Sequence, residues 1–161
     1  MKNTLLYACF VATVMATSAP GAYAGHYRLP VTNFISQDET ALLQKAGIST
    51  TLGLLDEVKT AAQRKRVAQV TGISVKRLEA LAGQVDLLRI EGIGPTVVRL
   101  LLAAGVKHSR ELGGQSAAAL LERMKAANTT QQITSVMPRE GQVAAWIAAA
   151  KRLGSVIEGV P

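Results

Sequence analysis

One short stretch of this chain has the residue types and spacing of a phosphate-binding loop. Gly92 and Gly94 flank Ile93, and Pro95 follows. Glycine permits a positive φ or a close approach of the backbone to a ligand. The first amides of the helix after such a loop have no acceptor within that helix and lie at the positive end of its dipole. The loop can therefore hold a phosphate with backbone N–H groups alone.

Side chains near this loop extend the candidate site. Thr96 and Arg99 follow the loop, Arg89 precedes it, and Lys107 comes after the next helix. The threonine hydroxyl can donate a hydrogen bond to a phosphate oxygen, and the cations add positive charge. The alternative is that the glycines only form a tight turn between packed helices. The predicted phosphate-binding or nucleic-acid-binding residues are Arg89, Gly92, Ile93, Gly94, Thr96, Arg99 and Lys107.

The surrounding pattern, L-x-x-I-x-G-I-G-P-x-x-x-x-x-L from Leu87 to Leu101, closely resembles the helix-hairpin-helix motif. In many DNA repair and replication proteins this motif contacts the backbone of duplex DNA without reading its sequence. The resemblance therefore implies sequence-independent DNA binding. DNA-binding versions often carry Lys or Arg just after the Gly-Pro pair, and here Thr96 stands at that position.

The rest of the chain offers little for catalysis. Its single cysteine is Cys9, and His26 and His108 have no partners at the spacing of a metal site or a catalytic triad. Neither a phosphate-binding P-loop nor a dinucleotide-binding fingerprint is present. We predict a protein that is not an enzyme, with no cofactor and no metal site.

The start of the chain has the pattern of a secretory signal peptide. Lys2 precedes an apolar run at 5–16, and small residues then lead to Ala22-Tyr23-Ala24. This pattern predicts cleavage between Ala24 and Gly25 and a secreted or periplasmic protein. The apolar run is shorter than the roughly 20 residues that a membrane span needs.

Removal of this leader leaves 137 of the 161 residues, without cysteine, and with 17 basic against 11 acidic residues. The net charge of +6 favours acidic partners. We expect an exported binding or scaffold module with weak affinity for the duplex DNA backbone or another acidic polymer, and no membrane span. The alternative is a protein-interaction domain of the cell envelope, whose hairpin is purely structural and whose partner is an envelope protein.

From Asp38 onward, apolar residues recur three and four positions apart, which predicts an all-α fold without strands. Asp38 is the predicted N-cap of the first helix, and Gly83 the predicted stop of a helix that begins after Ser74. Pro95 is expected at the first position of the helix after the hairpin. The predicted segments are a signal peptide at 1–24, an extended lead-in at 25–37, one compact domain at 38–154 and a tail at 155–161.

The two halves of this domain form an internal repeat at an offset of 58 residues, with Lys45-Ala46-Gly47-Ile48 matching Ala103-Ala104-Gly105-Val106. At this offset the Gly92-Ile93-Gly94 hairpin falls on Phe34-Ile35-Ser36, which lacks glycines. We therefore expect at most one half to hold an anion. Neither half would bury its apolar face alone, so the two are predicted to pack together.

Two further features have structural and functional interpretations. The basic residues Arg64-Lys65-Arg66 and Lys76-Arg77 either extend a phosphate-binding face or form a solvated helix surface. Trp146 lies among apolar residues at helical spacing and is predicted to be a core residue.

The order of AGIST, RKRVAQVTGIS, VDLLRIEGIG, LLLAAGV and VAAWIAAAKRL resembles the family known as domain of unknown function 4332. The resemblance covers about Asp38 to Leu153. It implies an all-helical, SAM-like fold of tandem helix-hairpin-helix repeats, and it implies no reaction and no catalytic residues.

Overall fold

The computed structural model describes residues 26–159, which form helices joined by short turns. The predicted signal peptide, its cleavage site and residues 160–161 lie outside the described residues. A 3₁₀ turn covers Leu29–Val31, and the α-helices that follow in the described part are α1 Gln37–Lys45, α2 Thr51–Val58, α3 Ala61–Thr71, α4 Val75–Leu87, α5 Pro95–Ala103, α6 Ser109–Gly113, α7 Ala117–Gln131 and α8 Glu140–Leu153.

This arrangement confirms the predicted all-α fold class. Within residues 26–159 the extended pairing is limited to one antiparallel bridge, between Arg28 and Thr50. The lead-in is less extended than predicted, because it includes the 3₁₀ turn at Leu29–Val31. None of the described helices combines the length and the apolar character needed to cross a bilayer.

The start of α1 differs by two residues from the prediction. Its N-cap is Ser36, whose hydroxyl accepts a hydrogen bond from the Glu39 N–H at 3.1 Å. The Glu39 carboxylate accepts one from the Ser36 N–H at 2.9 Å, which completes a capping box. Asp38, the predicted N-cap, lies in the first turn instead. Pro95 occupies the first position of α5 as predicted.

The predicted end of α4 at Gly83 is wrong, because the helix continues to Leu87. Gly83 is buried, and a Cβ atom added there would lie 2.6 Å from the backbone oxygen of Lys107. Glycine is therefore needed here for close packing of α4 against the loop before α6. A glycine required by a tertiary contact looks the same in sequence as one that ends a helix.

The first two helices of each half are related at an offset of 58 residues, since α1 and α5 begin at 37 and 95, and α2 and α6 begin at 51 and 109. Gly47 and Gly105 follow α1 and α5 with φ angles of 84° and 85°. The residue after each glycine donates its N–H to the carbonyl oxygen five positions earlier, at 2.9 Å in both halves. Thr50 and His108 then cap α2 and α6 through their side chains.

The core consists of two hydrophobic clusters that meet at α4. Val85 belongs to the first cluster and Leu87 to the second, while Phe34 packs against both. Trp146 lies in the second cluster and is 6% exposed, which confirms its predicted core position. Ile157 is buried in the first cluster, so the chain after α8 returns to the first half of the molecule.

Candidate anion-binding hairpin

The loop between α4 and α5 is a tight hairpin built on two buried isoleucines. The Ile90 N–H donates to the Leu87 oxygen at 3.1 Å, and the Ile93 N–H donates to the Ile90 oxygen at 3.0 Å. Ile90 and Ile93 are 1% and 2% exposed. Ile93 therefore anchors the loop in the core, and its amide is already used within the hairpin.

The N-terminus of α5, in contrast, leaves several donors open. Its N-cap residue, Gly94, makes no side-chain capping bond. The N–H groups of Gly94, Thr96 and Val97 have no acceptor among the described residues. The first turn of α5 contains no acidic residue. These amides lie at the positive end of the α5 dipole, where they can bind an anion.

The two glycines of the hairpin serve different purposes. Gly92 has a φ of 82°, a left-handed conformation that favours glycine. Gly94 has a φ of −98° and a ψ of 177°, which any residue can adopt. Glycine is therefore not required at Gly94 by the backbone conformation, and its effect is to leave the first amides of α5 without a capping side chain.

In the equivalent turn of the first half, a side chain caps the helix N-terminus. Ser36 stands 58 residues before Gly94, and its hydroxyl caps α1 through the Glu39 N–H. The left-handed residue of this turn is Asn33, with a φ of 58°, one position earlier than the alignment with Gly92 places it. The first hairpin therefore uses its own side chain where the second exposes backbone amides.

The structure brings only part of the predicted site together. Thr96 is exposed on the first turn of α5, and Arg99 lies three residues further on the same helix face, without an ion pair among residues 26–159. Lys107 follows the C-terminal end of α5, about one helix length of roughly 13 Å from the hairpin. The exposed Glu91 beside Gly92 reduces the positive potential of the loop.

Arg89 is engaged in a structural ion pair. Its Nη1 lies 2.7 Å from Oδ1 of Asp86, a carboxylate that is 1% exposed. The other oxygen of Asp86 accepts hydrogen bonds from the backbone N–H and the hydroxyl of Ser109. Asp86 thus joins the end of α4 to α6, and Arg89 neutralises it.

The basic region on α3 and α4 is only partly a solvated surface, because Lys65 and Lys76 are exposed whereas the arginines are engaged within the fold. Arg64 is 3% exposed and donates to the carbonyl oxygens of Val58, Lys59 and Glu158. Arg66 pairs with Glu57 at 2.8 Å. The Arg64 guanidinium therefore joins parts of the fold, which the charge run in the sequence did not indicate, whereas the Arg66 pair is exposed and contributes little to stability.

Arg77 from the same region binds the carboxylate of Glu39. The hydrogen bonds from Arg77 lower the pKa of Glu39 from 4.5 to about 2, against the opposing effect of partial burial. Arg77 also donates to the Phe34 carbonyl at 2.9 Å. Its charge is therefore used within the first half.

A groove of about 610 Å³ runs between α4 and the loop that leads into α6. His108 in its wall caps α6, with Nδ1 accepting from the Glu111 N–H at 3.3 Å. At the groove, Gln84 Oε1 is fully buried without a hydrogen-bond partner among the described residues, and His108 Nε2 lies 3.4 Å from Oε1 of Glu111. The lining residues are Lys76, Glu79, Ala80, Gly83, Gln84, Leu102, Lys107, His108 and Glu111.

Two aromatic residues that the sequence patterns did not assign to the hairpin contact it. Trp146 lies against Gly92, and the hydroxyl of Tyr27 lies against Gly94. These contacts span 54 and 67 residues of the chain. The helical spacing around Trp146 predicted its burial, but no local pattern indicates which element it faces.

The described residues form an all-helical fold in which the glycine-containing hairpin before α5 has no side-chain cap. The profile of the family described as Domain of unknown function (DUF4332) matches residues 33–153, so the chain belongs to this family. The match confirms the family predicted from the order of the motifs. Neither the curated proteins nor the solved structures include a significant match to the chain. In the described residues, no group of three or more His, Cys, Asp or Glu side chains is arranged to hold a metal ion.

Proposed function

We propose that this protein is an exported, non-enzymatic helix-hairpin-helix module that binds the phosphate backbone of duplex DNA through Gly92-Ile93-Gly94 and the first turn of α5. Binding is independent of base sequence, because backbone amides contact phosphate and not base edges. Thr96 adds a hydroxyl donor, and Arg99 adds a cation on the same helix that has no ion pair in the described part of the chain.

The contrast between Gly94 and Ser36 carries this proposal. At equivalent positions of the repeat, the serine side chain occupies the helix N-terminus and the glycine leaves it open. A glycine N-cap such as Gly94 forgoes only a few tenths of a kcal/mol relative to Ser, Thr or Asp, so the open N-terminus costs the fold little. An anionic ligand that accepts from these amides supplies the missing hydrogen bonds.

The charges around the hairpin support weak binding. Arg89 is paired with Asp86, Lys107 lies at the other end of α5, and Glu91 is exposed beside the loop. Among the predicted site residues, Arg99 is the cation left for a phosphate. We expect a Kd on the order of 10⁻⁴ to 10⁻⁶ M, as for non-specific DNA binding in general.

A salt titration with two duplexes of unrelated sequence tests the proposal. Both should bind with the same affinity, and about two neutralised phosphates give a slope of log K against log salt near −2. Arg99→Ala should weaken binding to both duplexes equally and make the slope shallower by about one. Absence of binding at low salt, or a strong preference for one duplex, would contradict the proposal.

A matched pair of variants isolates the hairpin. Gly94→Ser adds a hydroxyl that can cap α5 as Ser36 caps α1, so the unfolding free energy should stay level or rise by a few tenths of a kcal/mol. DNA affinity should nevertheless fall, because the new side chain covers the amides. Ser36→Thr keeps a capping oxygen in the first half and should bind DNA like the parent protein. If the two variants bound DNA with equal affinity, the hairpin would not be part of the DNA-binding site.

The alternative is a protein-interaction domain of the cell envelope with a purely structural hairpin. The groove between α4 and the loop before α6 favours this function, since its wall contains Gln84, whose Oε1 has no hydrogen-bond partner among the described residues. A photo-crosslinking residue at Ala80, inside the groove, should then capture one envelope protein in cells. The same residue at Ala144, exposed on α8, is the control. Capture from both positions or from neither argues against a partner in the groove.

A further inference from the structure

Each glycine of the hairpin is faced by the polar tip of an aromatic side chain. A Cβ atom at Gly92 would lie 3.0 Å from Nε1 of Trp146, with Cδ1 at 3.9 Å and Cε2 at 4.0 Å. The indole therefore turns its N–H edge toward the hairpin. A Cβ atom at Gly94 would lie 3.4 Å from the hydroxyl oxygen of Tyr27.

Both polar atoms have unused hydrogen-bonding capacity. Neither Trp146 Nε1 nor the Tyr27 hydroxyl has a hydrogen-bond partner within residues 26–159, although Trp146 is 6% exposed. The fully buried polar atoms without a partner are Thr40 Oγ1, Arg64 Nε, Gln84 Oε1 and His108 Nε2. Trp146 Nε1 is not among them, so it retains contact with solvent. The N–H of Trp146 and the O–H of Tyr27 are therefore both free to donate a hydrogen bond to a ligand at the hairpin.

Both aromatic residues are held firmly in place. Trp146 is packed in the second hydrophobic cluster. Tyr27 donates its N–H to Thr51 Oγ1 at 3.0 Å, and its carbonyl accepts from the Thr51 N–H at 2.9 Å. The indole N–H, the phenol O–H and the open amides of α5 thus border the same hairpin from three separate elements.

We propose that Trp146 Nε1–H and the Tyr27 hydroxyl are hydrogen-bond donors to the oxyanion held at the hairpin. This inference rests on the proposed function and extends the phosphate site to two side chains. Both donors are neutral, and no proton is transferred. The site then combines backbone amides, two aromatic donors and Arg99, which suits a phosphodiester oxygen that needs several hydrogen bonds and little added charge.

Trp146 is the only tryptophan of the chain, so its fluorescence reports directly on the site. Titration of the parent protein with duplex DNA should change the emission with the same midpoint as an independent anisotropy measurement. Trp146→Phe and Tyr27→Phe should each weaken duplex binding roughly tenfold, the loss expected for one hydrogen bond to a charged group. The salt slope should not change, because neither variant removes a cation.

Two controls separate lost hydrogen bonds from lost structure. Circular dichroism and the unfolding midpoint report whether each variant keeps its fold. Replacement of Trp146 by benzothienylalanine keeps the ring shape and exchanges the N–H for sulfur, so it should reproduce the affinity loss of Trp146→Phe. Parent-like affinity of both this variant and Tyr27→Phe would overturn the inference and leave DNA binding intact.

A parallel titration with inorganic phosphate distinguishes the two proposals. In one outcome, the parent does not bind duplex DNA, while phosphate changes its emission saturably and Tyr27→Phe weakens that response. This result would support the two proposed donors and contradict the proposed DNA binding. If neither duplex nor phosphate changes the emission or the anisotropy, both proposals fail.

Discussion

The guanidinium of Arg77 on α4 binds the carboxylate of Glu39 on α1 through two hydrogen bonds. Nε lies 2.6 Å from Oε1, and Nη2 lies 2.9 Å from Oε2. Arg77 also donates to the carbonyl of Phe34, and Glu39 accepts from the Ser36 N–H. One ion pair thus fixes the turn before α1 and joins it to the helix that both halves share.

This pair predicts a loss of stability in acid. The folded-state pKa of Glu39 is about 2 against an ordinary value of 4.5, so its stabilisation is complete above about pH 5 and disappears as the pH falls toward 2. The unfolding free energy of the parent should fall by about 2 kcal/mol more than that of Glu39→Gln over this range. Urea titrations at successive pH values measure the difference. Glu122→Gln, which breaks an exposed pair with Lys125, should follow the parent.

Replacement of two helical glycines by alanine should change the unfolding free energy in opposite directions. Gly83→Ala places a Cβ 2.6 Å from the Lys107 oxygen and should cost about 1–3 kcal/mol of unfolding free energy, because backbone must move. Gly141→Ala on α8 meets no atom within 4 Å and should stabilise the protein by up to about 1 kcal/mol. Denaturant unfolding of both variants decides this. A neutral Gly83→Ala would show that α4 does not approach this loop closely.

We expect Arg64 to stabilise the fold. Arg64→Met keeps much of the apolar stem but removes the donors to the carbonyls of Val58, Lys59 and Glu158. We expect a loss of about 2–4 kcal/mol in unfolding free energy, because buried carbonyl groups lose their partners. Lys65→Met, at the exposed neighbouring position, should change it by less than about 0.5 kcal/mol. Similar losses in both variants would mean that Arg64 is not buried as described.

We expect the two halves to unfold in one transition, because α4 and Phe34 belong to the packing of both clusters. Leu54→Ala, in the first cluster, should cost about 2–5 kcal/mol. It should shift the midpoint seen by Trp146 fluorescence as much as the midpoint seen by circular dichroism, although Trp146 lies in the second cluster. A fluorescence midpoint that stays at the parent value would show two independent units.

The sequence pattern at 1–24 predicts that the mature protein begins at Gly25. Intact-mass measurement of the protein recovered from outside the cytoplasm should give the mass of residues 25–161. A product that retains Met1, or one that carries lipid on Cys9, would contradict the prediction. This test is independent of DNA binding.

Local sequence patterns predicted helix starts and stops correctly where these depend on contacts between neighbouring residues. Pro95 at the start of α5, Ser74 before α4 and the glycine that follows α1 could be predicted, because helix starts and stops depend on a few adjacent groups. The prediction that Gly83 ends a helix was wrong, because this glycine is required by a contact with a distant residue. Its partner, the Lys107 carbonyl, is 24 residues away.

The all-α class, the family and the hairpin with its two glycines could be predicted from the sequence alone, because helical periodicity and short motifs involve neighbouring residues. The packing of the helices establishes which charges and donors lie near that hairpin. It pairs Arg89 with Asp86, places Lys107 at the far end of α5, and brings Trp146 and Tyr27 to the glycines. These relations depend on how the helices pack, and long-range packing leaves no periodic signal in a single sequence.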